Sequence, residues 1–400
     1  MSALNETPTG ERVHIAIYGK RNAGKSSLIN AITNQDIALV SDIAGTTTDP
    51  VKKSMEIRGI GACMIVDTAG FDDNGKIGSL RVEKTEETVQ KTDIAILLCS
   101  AGSLEYEKQW SEKLKKQNVK QIAVVSKADE INADILAERV QKELGLKPVV
   151  VSAKTRLGID ELLAELARAV PPDFGNKSIL GGLADKNDVV LLVMPQDSEA
   201  PKGRLILPQV QTIRELLNKE CISINTIPEN MQKALENLKN PPKLIITDSQ
   251  VFKEVYEKKP KESLLTSFSI LFAAYKGDLN EFISGANALD SLNSSSHILI
   301  AEACTHAPLS EDIGRVKIPN LLRKKFGQEI NIDIVSGVDF PINLKKYDLI
   351  IHCGGCMFSR VYLMNRIAMA KSENIPITNY GIFIAKMNGL LENITLPKQN

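Results

Sequence analysis

Short apolar runs alternate with amphipathic stretches along the first 170 residues of the chain. The apolar runs are VHIAIYG, CMIVDTAG, DIAILLCS, QIAVVSKAD and PVVVSAK, and helical patterns such as KSSLINAIT and DELLAELARAV lie between or after them. Buried strands alternating with amphipathic helices are typical of a doubly wound, mostly parallel sheet. We therefore predict an α/β domain over residues 1–172.

The same alternation resumes after AVPPDFGNKSILGG, a stretch rich in proline and glycine that we interpret as a linker at 173–183. The runs VVLLVMP, CISINTI and KLIITDS, with helical patterns between them, predict a small second α/β domain over 184–262. HILIAEA, NIDIVSG, YDLIIHC and IPITNYG then predict a third α/β domain over 263–400. Several domains are also what a chain of 400 residues suggests.

The charge balance of the chain is neutral. Lys and Arg total 49, and so do Asp and Glu, so bulk charge does not indicate binding to nucleic acid or to an acidic membrane surface. The opening stretch MSALNETPTGERVHIAIYG lacks the apolar core of a signal peptide, and no run approaches the length of a membrane span. We expect a cytoplasmic protein with neither a nucleic acid nor a membrane as a partner.

The segment GKRNAGKSS fits the phosphate-binding pattern G-x-x-x-x-G-K-[ST] and lies between a strand pattern and a helix pattern. Its glycines let backbone N–H groups surround phosphates, Lys25 can meet the β- and γ-phosphate charge, and the Ser26 hydroxyl can bind magnesium. The residues of this loop that we expect to bind nucleotide are Gly19, Arg21, Asn22, Ala23, Gly24, Lys25, Ser26 and Ser27.

Further motifs follow in the order that a GTPase requires, namely GTTTDP, DTAG, SKAD and VSAK. Asp67 can hold magnesium through water, and the N–H of Gly70 can sense the γ-phosphate. Asp129 can accept hydrogen bonds from N1 and N2 of guanine, which adenine cannot offer, so GTP is favoured over ATP. The remaining predicted nucleotide contacts are Ser126, Lys127, Ser152, Ala153 and Lys154.

Three of the six cysteines, Cys304, Cys353 and Cys356, lie in the last part of the chain. Cys304 follows one predicted strand, and the other two follow another. If these strands are parallel neighbours, their carboxyl ends share one edge of the sheet, and the three thiols come together with His306 and His352. The histidines are candidates for a fourth metal ligand or for hydrogen bonding to a sulfur.

Three kinds of site fit these residues. A redox dithiol needs only Cys353 and Cys356 and leaves Cys304 and His306 unexplained, whereas zinc suits a tetrahedral set of Cys and His ligands. An iron–sulfur cluster on three cysteines leaves one iron to a weaker or exchangeable ligand. We favour the cluster, with zinc and the dithiol as alternatives.

The blocks NAGKSSL and DIAGTT resemble the TrmE/Era-like GTPases. The resemblance implies Thr47 as a magnesium ligand beside Ser26 and Asp67. It also implies a potassium ion held by Asn22 and by the carbonyls of Ser41 and Ile43. Ser126 replaces the Asn of the usual N-K-x-D motif, so we expect a weaker hydrogen bond between the guanine loop and the phosphate loop.

The combination of both motif sets resembles the HydF family, the GTPases of iron–iron hydrogenase maturation. Cys304-Thr305-His306 meets the family pattern C-x-H, and HCGGC, which begins at His352, meets H-C-x-x-C. The resemblance extends over essentially the whole chain. It implies an N-terminal P-loop GTPase domain, a middle domain that forms a homodimer or supports a tetramer, and a C-terminal 4Fe-4S domain.

The family acts as a scaffold and carrier, which implies a di-iron precursor made with two radical-SAM maturases and delivered to apo-hydrogenase. GTP with Mg²⁺, and K⁺ as an activator, would time the release of partners. One alternative is a TrmE-like GTPase in RNA modification or ribosome assembly with a zinc-binding tail, although the sequence lacks a basic and aromatic RNA surface. The other alternative is a GTP-gated redox or metal sensor.

Overall fold

The computed structural model places residues in two compact units, Met1–Gly175 and Asn176–Asn400. None of the helices in the part of the chain described here is long and apolar enough to cross a membrane. The residues that the structure describes are 7–33, 51–57, 59–70, 84–171, 174–175, 177–196, 205–303, 312–337 and 339–398.

The first unit contains a six-stranded sheet with the strand order β2-β3-β1-β4-β5-β6. Strand β2 runs antiparallel to β3, and all other neighbouring strands are parallel. The elements are β1 (Val13–Gly19), α1 (Lys25–Thr33), β2 (Val51–Ile57), β3 (Gly61–Asp67), α2 (described over 84–89), β4 (Ile94–Cys99), α3 (Glu105–Lys116), β5 (Lys120–Val125), α4 (Ala133–Leu144), β6 (Val149–Val150) and α5 (Ile159–Ala169).

Strand β1 is buried on both faces, which explains its uninterrupted apolar sequence. Ile15 and Ile17 pack in one core with residues of α1 and α5, whereas Ala16 and Tyr18 pack in a second core with residues of α3 and α4. This two-layered covering of a mostly parallel sheet confirms the predicted α/β class. Ligands of such sheets bind at the carboxyl ends of the strands.

The second unit contains two four-stranded sheets in which all neighbouring strands are parallel, with the orders β10-β9-β7-β8 and β12-β11-β13-β14. The elements of the first of these sheets are β7 (Val189–Val193), α6 (Leu207–Asn218), β8 (Ile222–Thr226), α7 (Met231–Glu236), β9 (Leu244–Thr247), α8 (Phe252–Lys258), β10 (Leu264–Ser267) and α9 (Phe268–Lys276). The elements of the second are α10 (Leu279–Ala286), β11 (His297–Ala301), α11 (Ile318–Phe326), β12 (Asn331–Val335), β13 (Leu349–His352), α12 (Arg360–Ser372), β14 (Ile377–Asn379) and α13 (Tyr380–Met387).

One hydrophobic core joins the two sheets of the second unit. Leu191 and Ile245 from the first sheet lie in the same buried cluster as Leu299 and Ile350 from the second, together with residues of α9, α10, α12 and α13. Burying a side chain of this size contributes about 1.5–3 kcal/mol. The two sheets are therefore stabilised by the same packing.

Strand β10 lies beyond the predicted end of the second domain at residue 262. Leu264 pairs with Leu244 and Ser267 with Thr247, so β10 belongs to the sheet that contains β9. Helix α9 follows β10 directly. The sequence LLTSFSILFAAY is apolar across this junction, so its pattern gives no sign of where the strand ends and the helix begins. The observed sheet thus extends past the predicted boundary between 262 and 263.

We expect Gly285→Ala to destabilise the second unit, although alanine normally favours a helix by about 1 kcal/mol over glycine. A Cβ atom at this position would lie 1.9 Å from the carbonyl oxygen of Ile377, so α10 would have to move away from β14. Such overpacking costs about 1–3 kcal/mol. Denaturant unfolding of the full chain measures the change.

Ser284→Ala is the matched control, because Ser284 is exposed on the same helix. This variant should unfold at the same denaturant concentration as the wild type or at a slightly higher one. A Gly285→Ala protein as stable as the Ser284→Ala protein would contradict the prediction.

Candidate functional site

The phosphate loop lies between β1 and α1, at the carboxyl edge of the first sheet. Asn22 and Gly24 have positive φ angles of 59° and 96°, which turn the backbone towards the start of α1. The Lys25 ammonium lies within the loop and donates to the carbonyl oxygens of Gly19 at 3.0 Å and Lys20 at 2.7 Å. A compact loop with a lysine inside it matches the predicted phosphate-binding site.

Ser26 and Asp67 meet where magnesium would bind beside this loop. The Ser26 hydroxyl donates to Oδ2 of Asp67 at 2.8 Å. Oδ1 of Asp67 is buried without a hydrogen-bond partner in the described part of the chain, and burial raises the pKa of this carboxyl. A bound cation would stabilise the ionised, buried carboxylate, so Ser26 and Asp67 fit a magnesium site. Thr47, the third predicted ligand, lies outside the described residues.

Gly70 lies directly against the phosphate loop. A Cβ atom at Gly70 would come within 2.6 Å of the backbone nitrogen of Arg21, so only glycine fits this close approach. The backbone of DTAG is therefore near the place where a γ-phosphate would lie, as its predicted sensing role requires.

The guanine loop is tied to the phosphate loop through Ser126. Its hydroxyl donates to the carbonyl oxygen of Ala23 at 2.8 Å, with the Cys99 carbonyl as a second acceptor at 3.3 Å. The expectation was that replacing Asn by Ser126 weakens this connection. In the structure the shorter side chain makes the connection itself.

Asp129 is held in place by the following motif. The Ser152 hydroxyl donates to Oδ1 of Asp129 at 2.6 Å, and this hydrogen bond lowers the pKa of the carboxyl. Asp129 is thus an ionised acceptor at the exposed rim of the site, as recognition of guanine N1 and N2 requires. The cleft beside it is lined by residues of three predicted motifs, among them Gly24, Ser27, Ser126, Lys127, Asp129, Ala153 and Lys154.

Glu107 is a contact of the phosphate loop that the sequence pattern did not indicate. This fully buried carboxylate of α3 lies 3.2 Å from the ammonium of Lys20. Lys20 also donates to the Ser103 carbonyl. A buried ion pair thus anchors the second residue of the phosphate loop. The sequence offered no distinct signal, because Glu107 is one of three glutamates in the amphipathic helix α3, where acidic residues usually face solvent.

Asn22 is the only predicted potassium ligand among the described residues, since Ser41 and Ile43 lie outside them. Its left-handed backbone is consistent with a tight turn at this point. The potassium site stays a prediction.

Cys353 directly follows β13, at the carboxyl edge of the second sheet of the second unit. Strands β11 and β13 are parallel neighbours, with Ala301 opposite His352 in the register. The backbone N–H of Ala303 donates to the sulfur of Cys353 at 2.9 Å, and the N–H of Gly355 donates to it at 3.4 Å. The residue directly before Cys304 in the chain therefore contacts Cys353.

Cys353 and Cys356 are half-buried, and both thiols are free of disulfides. Burial raises the pKa of Cys353 to about 12, and the two N–H donors and Arg366 oppose that shift. Cys304 and His306 lie outside the described residues. Among the described residues, no group of three His, Cys, Asp or Glu side chains could hold a metal ion.

His352 is fully buried behind the cysteine loop, by which we mean residues 353–358. Its Nδ1 lies 2.7 Å from the Cys353 carbonyl, and its Nε2 lies 2.9 Å from a guanidinium nitrogen of Arg366. Burial lowers the pKa of this imidazole to about 3, and the Arg366 charge acts in the same direction. Both ring nitrogens are engaged, which favours a supporting role for His352 over direct metal binding.

Two buried cations beside the cysteine loop were also missed from the sequence. Lys276 at the end of α9 donates to the carbonyls of Cys356 at 3.1 Å and Phe358 at 2.8 Å. Arg366 lies in the middle of α12 and is 1% exposed. Lys276 ends the mostly apolar segment FAAYK, and Arg366 lies within NRIAMA. A basic residue in an otherwise apolar helical segment was the available signal in the sequence.

Family models match both halves of the second unit. The hydrogen maturase F tetramerization domain matches residues 280–396, and the hydrogen maturase F dimerization domain matches residues 179–277. Together they match more than half of the chain. The chain belongs to the hydrogen maturase F family.

The first unit of this hydrogen maturase F chain is a GTPase domain that binds GTP and Mg²⁺, since residues 14–127 match a model described as "50S ribosome-binding GTPase". The second unit contains the two oligomerization domains of the family, which indicates an oligomeric protein. The match to the dimerization domain covers the predicted middle domain at 184–262, and the match to the tetramerization domain lies within residues 263–400, for which a cluster-binding domain was predicted.

Curated relatives match part of the hydrogen maturase F chain. The tRNA modification GTPase MnmE of Flavobacterium johnsoniae is 35% identical over 163 residues, which cover 38% of this chain and 35% of that protein. GTPase Der of Wolinella succinogenes is 33% identical over 197 residues, which cover 44% of this chain and 41% of that protein. The chain thus spans less than half of the length of these relatives.

A solved structure of Era in complex with MgGDPNP and nucleotides of 16S ribosomal RNA also aligns with the hydrogen maturase F chain. The TM-score is 0.36 at 20% sequence identity, and the alignment covers 54% of this chain and 92% of that one.

We expect Ser126→Ala to lower the affinity for GTP about fivefold, because it removes the hydrogen bond to Ala23, which is worth about 1 kcal/mol. Titration of a fluorescent GTP analogue measures the dissociation constant. Ser126→Asn restores the residue of the usual motif and should bind GTP at least as tightly as the wild type.

Ser111→Ala is the control for loss of a hydroxyl in the same unit. Ser111 bonds to Gln121 near the amino end of β5, at the edge of the sheet opposite the nucleotide. Equal affinities for Ser126→Ala and Ser111→Ala would show that the Ser126 connection does not support nucleotide binding.

Proposed function

We propose that this chain is a GTP-hydrolysing scaffold in the maturation of iron–iron hydrogenases. It binds a 4Fe-4S cluster and delivers a di-iron precursor to apo-hydrogenase. The observation that carries the proposal is the 2.9 Å hydrogen bond from the Ala303 amide to the Cys353 sulfur, in a chain of the hydrogen maturase F family. It supports the convergence of Cys304 with Cys353 and Cys356 at one sheet edge.

The surroundings of the cysteine loop suit an anionic cluster. Cys353 accepts hydrogen bonds from two backbone amides, and Lys276 and Arg366 place two buried cations beside the loop. Amide donors and buried cations are the features that stabilise thiolate-bound iron. Cys304, Cys353 and Cys356 would hold three irons, and the cluster would supply a fourth iron with an exchangeable site for the precursor.

In the proposed GTPase reaction, water attacks the γ-phosphate and yields GDP and phosphate. Lys25 and the backbone of the phosphate loop would hold the phosphates, and Ser26 and Asp67 would hold a magnesium ion that offsets the phosphate charge. Asn22 would hold a potassium ion against the charge that develops in the transition state. We propose that this reaction times the exchange of partners, two radical-SAM maturases and the apo-hydrogenase, on a homodimeric or tetrameric scaffold.

A TrmE-like role in RNA modification or ribosome assembly explains less of the chain. The match to the tRNA modification GTPase MnmE of Flavobacterium johnsoniae covers 38% of it. The hydrogen maturase F domains match the second unit, which that alternative leaves unexplained.

Potassium should accelerate GTP hydrolysis relative to sodium at equal ionic strength, because the ion compensates charge beside the phosphates. We expect Asn22→Ala to lose most of this difference, as measured by phosphate release. Asn22→Gly controls for backbone strain, since glycine tolerates the φ of 59° at this position. Equal rates of the wild type in potassium and sodium would overturn the potassium site, and a loss confined to Asn22→Ala would assign the effect to strain.

Anaerobic reconstitution with iron and sulfide should give a brown protein that shows an electron paramagnetic resonance signal after reduction. Separate substitutions of Cys304, Cys353 and Cys356 by Ser should each remove the signal, because each removes one ligand of the cluster. Cys221→Ser is the control, since Cys221 lies in a different core of the second unit. A colourless wild-type protein that binds one zinc ion would reject the carrier function.

A further inference from the structure

Arg366 is buried in a setting that holds its guanidinium in one orientation. The group lies 4.6 Å from the ring centroids of Phe340 and Phe358 and 4.7 Å from that of Tyr362. One terminal nitrogen donates to the Gly337 carbonyl at 2.5 Å and to the Tyr362 hydroxyl at 3.1 Å. Contacts with three rings and a planar fork of donors leave the side chain little freedom.

The charge of Arg366 is not balanced by a carboxylate among its hydrogen-bond partners. Within the described residues its acceptors are a carbonyl, a hydroxyl and the His352 ring, and its Nε has no partner. A buried guanidinium without an anion is costly, and burial accordingly lowers the pKa of Arg366 while Tyr362 and Cys353 raise it. An anion at Cys353 would offset this cost.

Arg366 also acts on the cysteine loop through His352. Because the guanidinium donates to Nε2, the neutral ring carries its proton on Nδ1, and that proton is donated to the Cys353 carbonyl at 2.7 Å. The sulfur of Cys353 meanwhile accepts from the Ala303 and Gly355 amides. Hydrogen bonds thus hold both the backbone and the sulfur of the same residue.

We propose that Arg366 is a positioning residue of the cysteine site that orients Cys353 through His352 and supplies the counter-charge for the bound cluster. This inference rests on the proposed cluster-binding function. A one-electron reduction of the cluster adds one negative charge, so a fixed cation nearby favours the reduced form. Loss of the cation disfavours reduction, whereas loss of the geometry loosens the cluster.

The test uses the full chain, reconstituted anaerobically, with two readouts. The first is the midpoint potential of the cluster during reduction by dithionite, followed by electron paramagnetic resonance. The second is the rate at which a chelator removes iron. Arg366→Met and Arg366→Gln remove the charge, Arg366→Lys keeps it without the planar fork, and Lys371→Met removes an exposed charge from the same helix, where Lys371 pairs with Glu281.

Arg366→Met and Arg366→Gln should lower the midpoint potential of the cluster, whereas Arg366→Lys should have a midpoint potential near that of the wild type. All three Arg366 variants should lose iron about tenfold faster, as expected when a group that orients a ligand is removed. Lys371→Met should match the wild type in both readouts. Circular dichroism of the cluster-free proteins checks folding, and if neither neutral variant folds, the rate of iron loss from Arg366→Lys decides the question.

Wild-type potential and wild-type iron retention in the Arg366 variants would overturn the role of Arg366 and leave the proposed cluster function intact. A wild-type chain that binds no cluster would overturn the proposed function itself. The two failures are therefore distinguishable by the behaviour of the wild type alone.

Discussion

Parallel pairing of neighbouring strands determines where chemistry can occur in both units. In the first unit, β1, β3 and β5 end at the same edge of the sheet, so the phosphate loop, Asp67 and Ser126 lie together although they are far apart in sequence. In the second unit, β11 and β13 bring Ala303 to Cys353 in the same manner. A slip of two residues in either register would separate these groups by about 7 Å.

Buried charge is the second constraint on both sites. In the first unit, the incompletely satisfied Asp67 carboxylate suits a cation, and the ammonium of Lys25 lies among backbone carbonyls where phosphates bind. In the second unit the sign is reversed, because the acceptors of the buried Arg366 guanidinium among the described residues are neutral, and the His352 ring to which it donates belongs to the residue before Cys353. Burying an unpaired charge is unfavourable, but a bound ligand of opposite charge can offset the desolvation cost.

The sequence predicted the described strands other than β2 and β10, together with the phosphate loop, because each of these has a local signature. Alternation of apolar and amphipathic runs reveals buried parallel strands, and motifs such as DTAG occur at strand ends. Arg366 and Glu107 have no such signature, since burial of one charged residue in a helix depends on which elements pack against it. The contact of Ser126 with Ala23 depends on the distance between two loops, which a motif comparison does not contain. The strand–helix junction after β10 was hidden by continuous apolar sequence.

Helix α9 makes the cysteine site dependent on both halves of the second unit. It begins at Phe268, directly after Ser267, the last residue of β10, whose side chain caps the helix. It ends at Lys276, which donates to the carbonyls of Cys356 and Phe358. Arg360 returns a hydrogen bond to the Gly277 carbonyl. The match to the dimerization domain ends at residue 277. It therefore includes Lys276, which supports the cysteine loop. The nine residues of α9 connect β10 to Lys276, which contacts the Cys356 carbonyl. A displacement of β10 would therefore move this contact through a rigid helix rather than through a flexible linker.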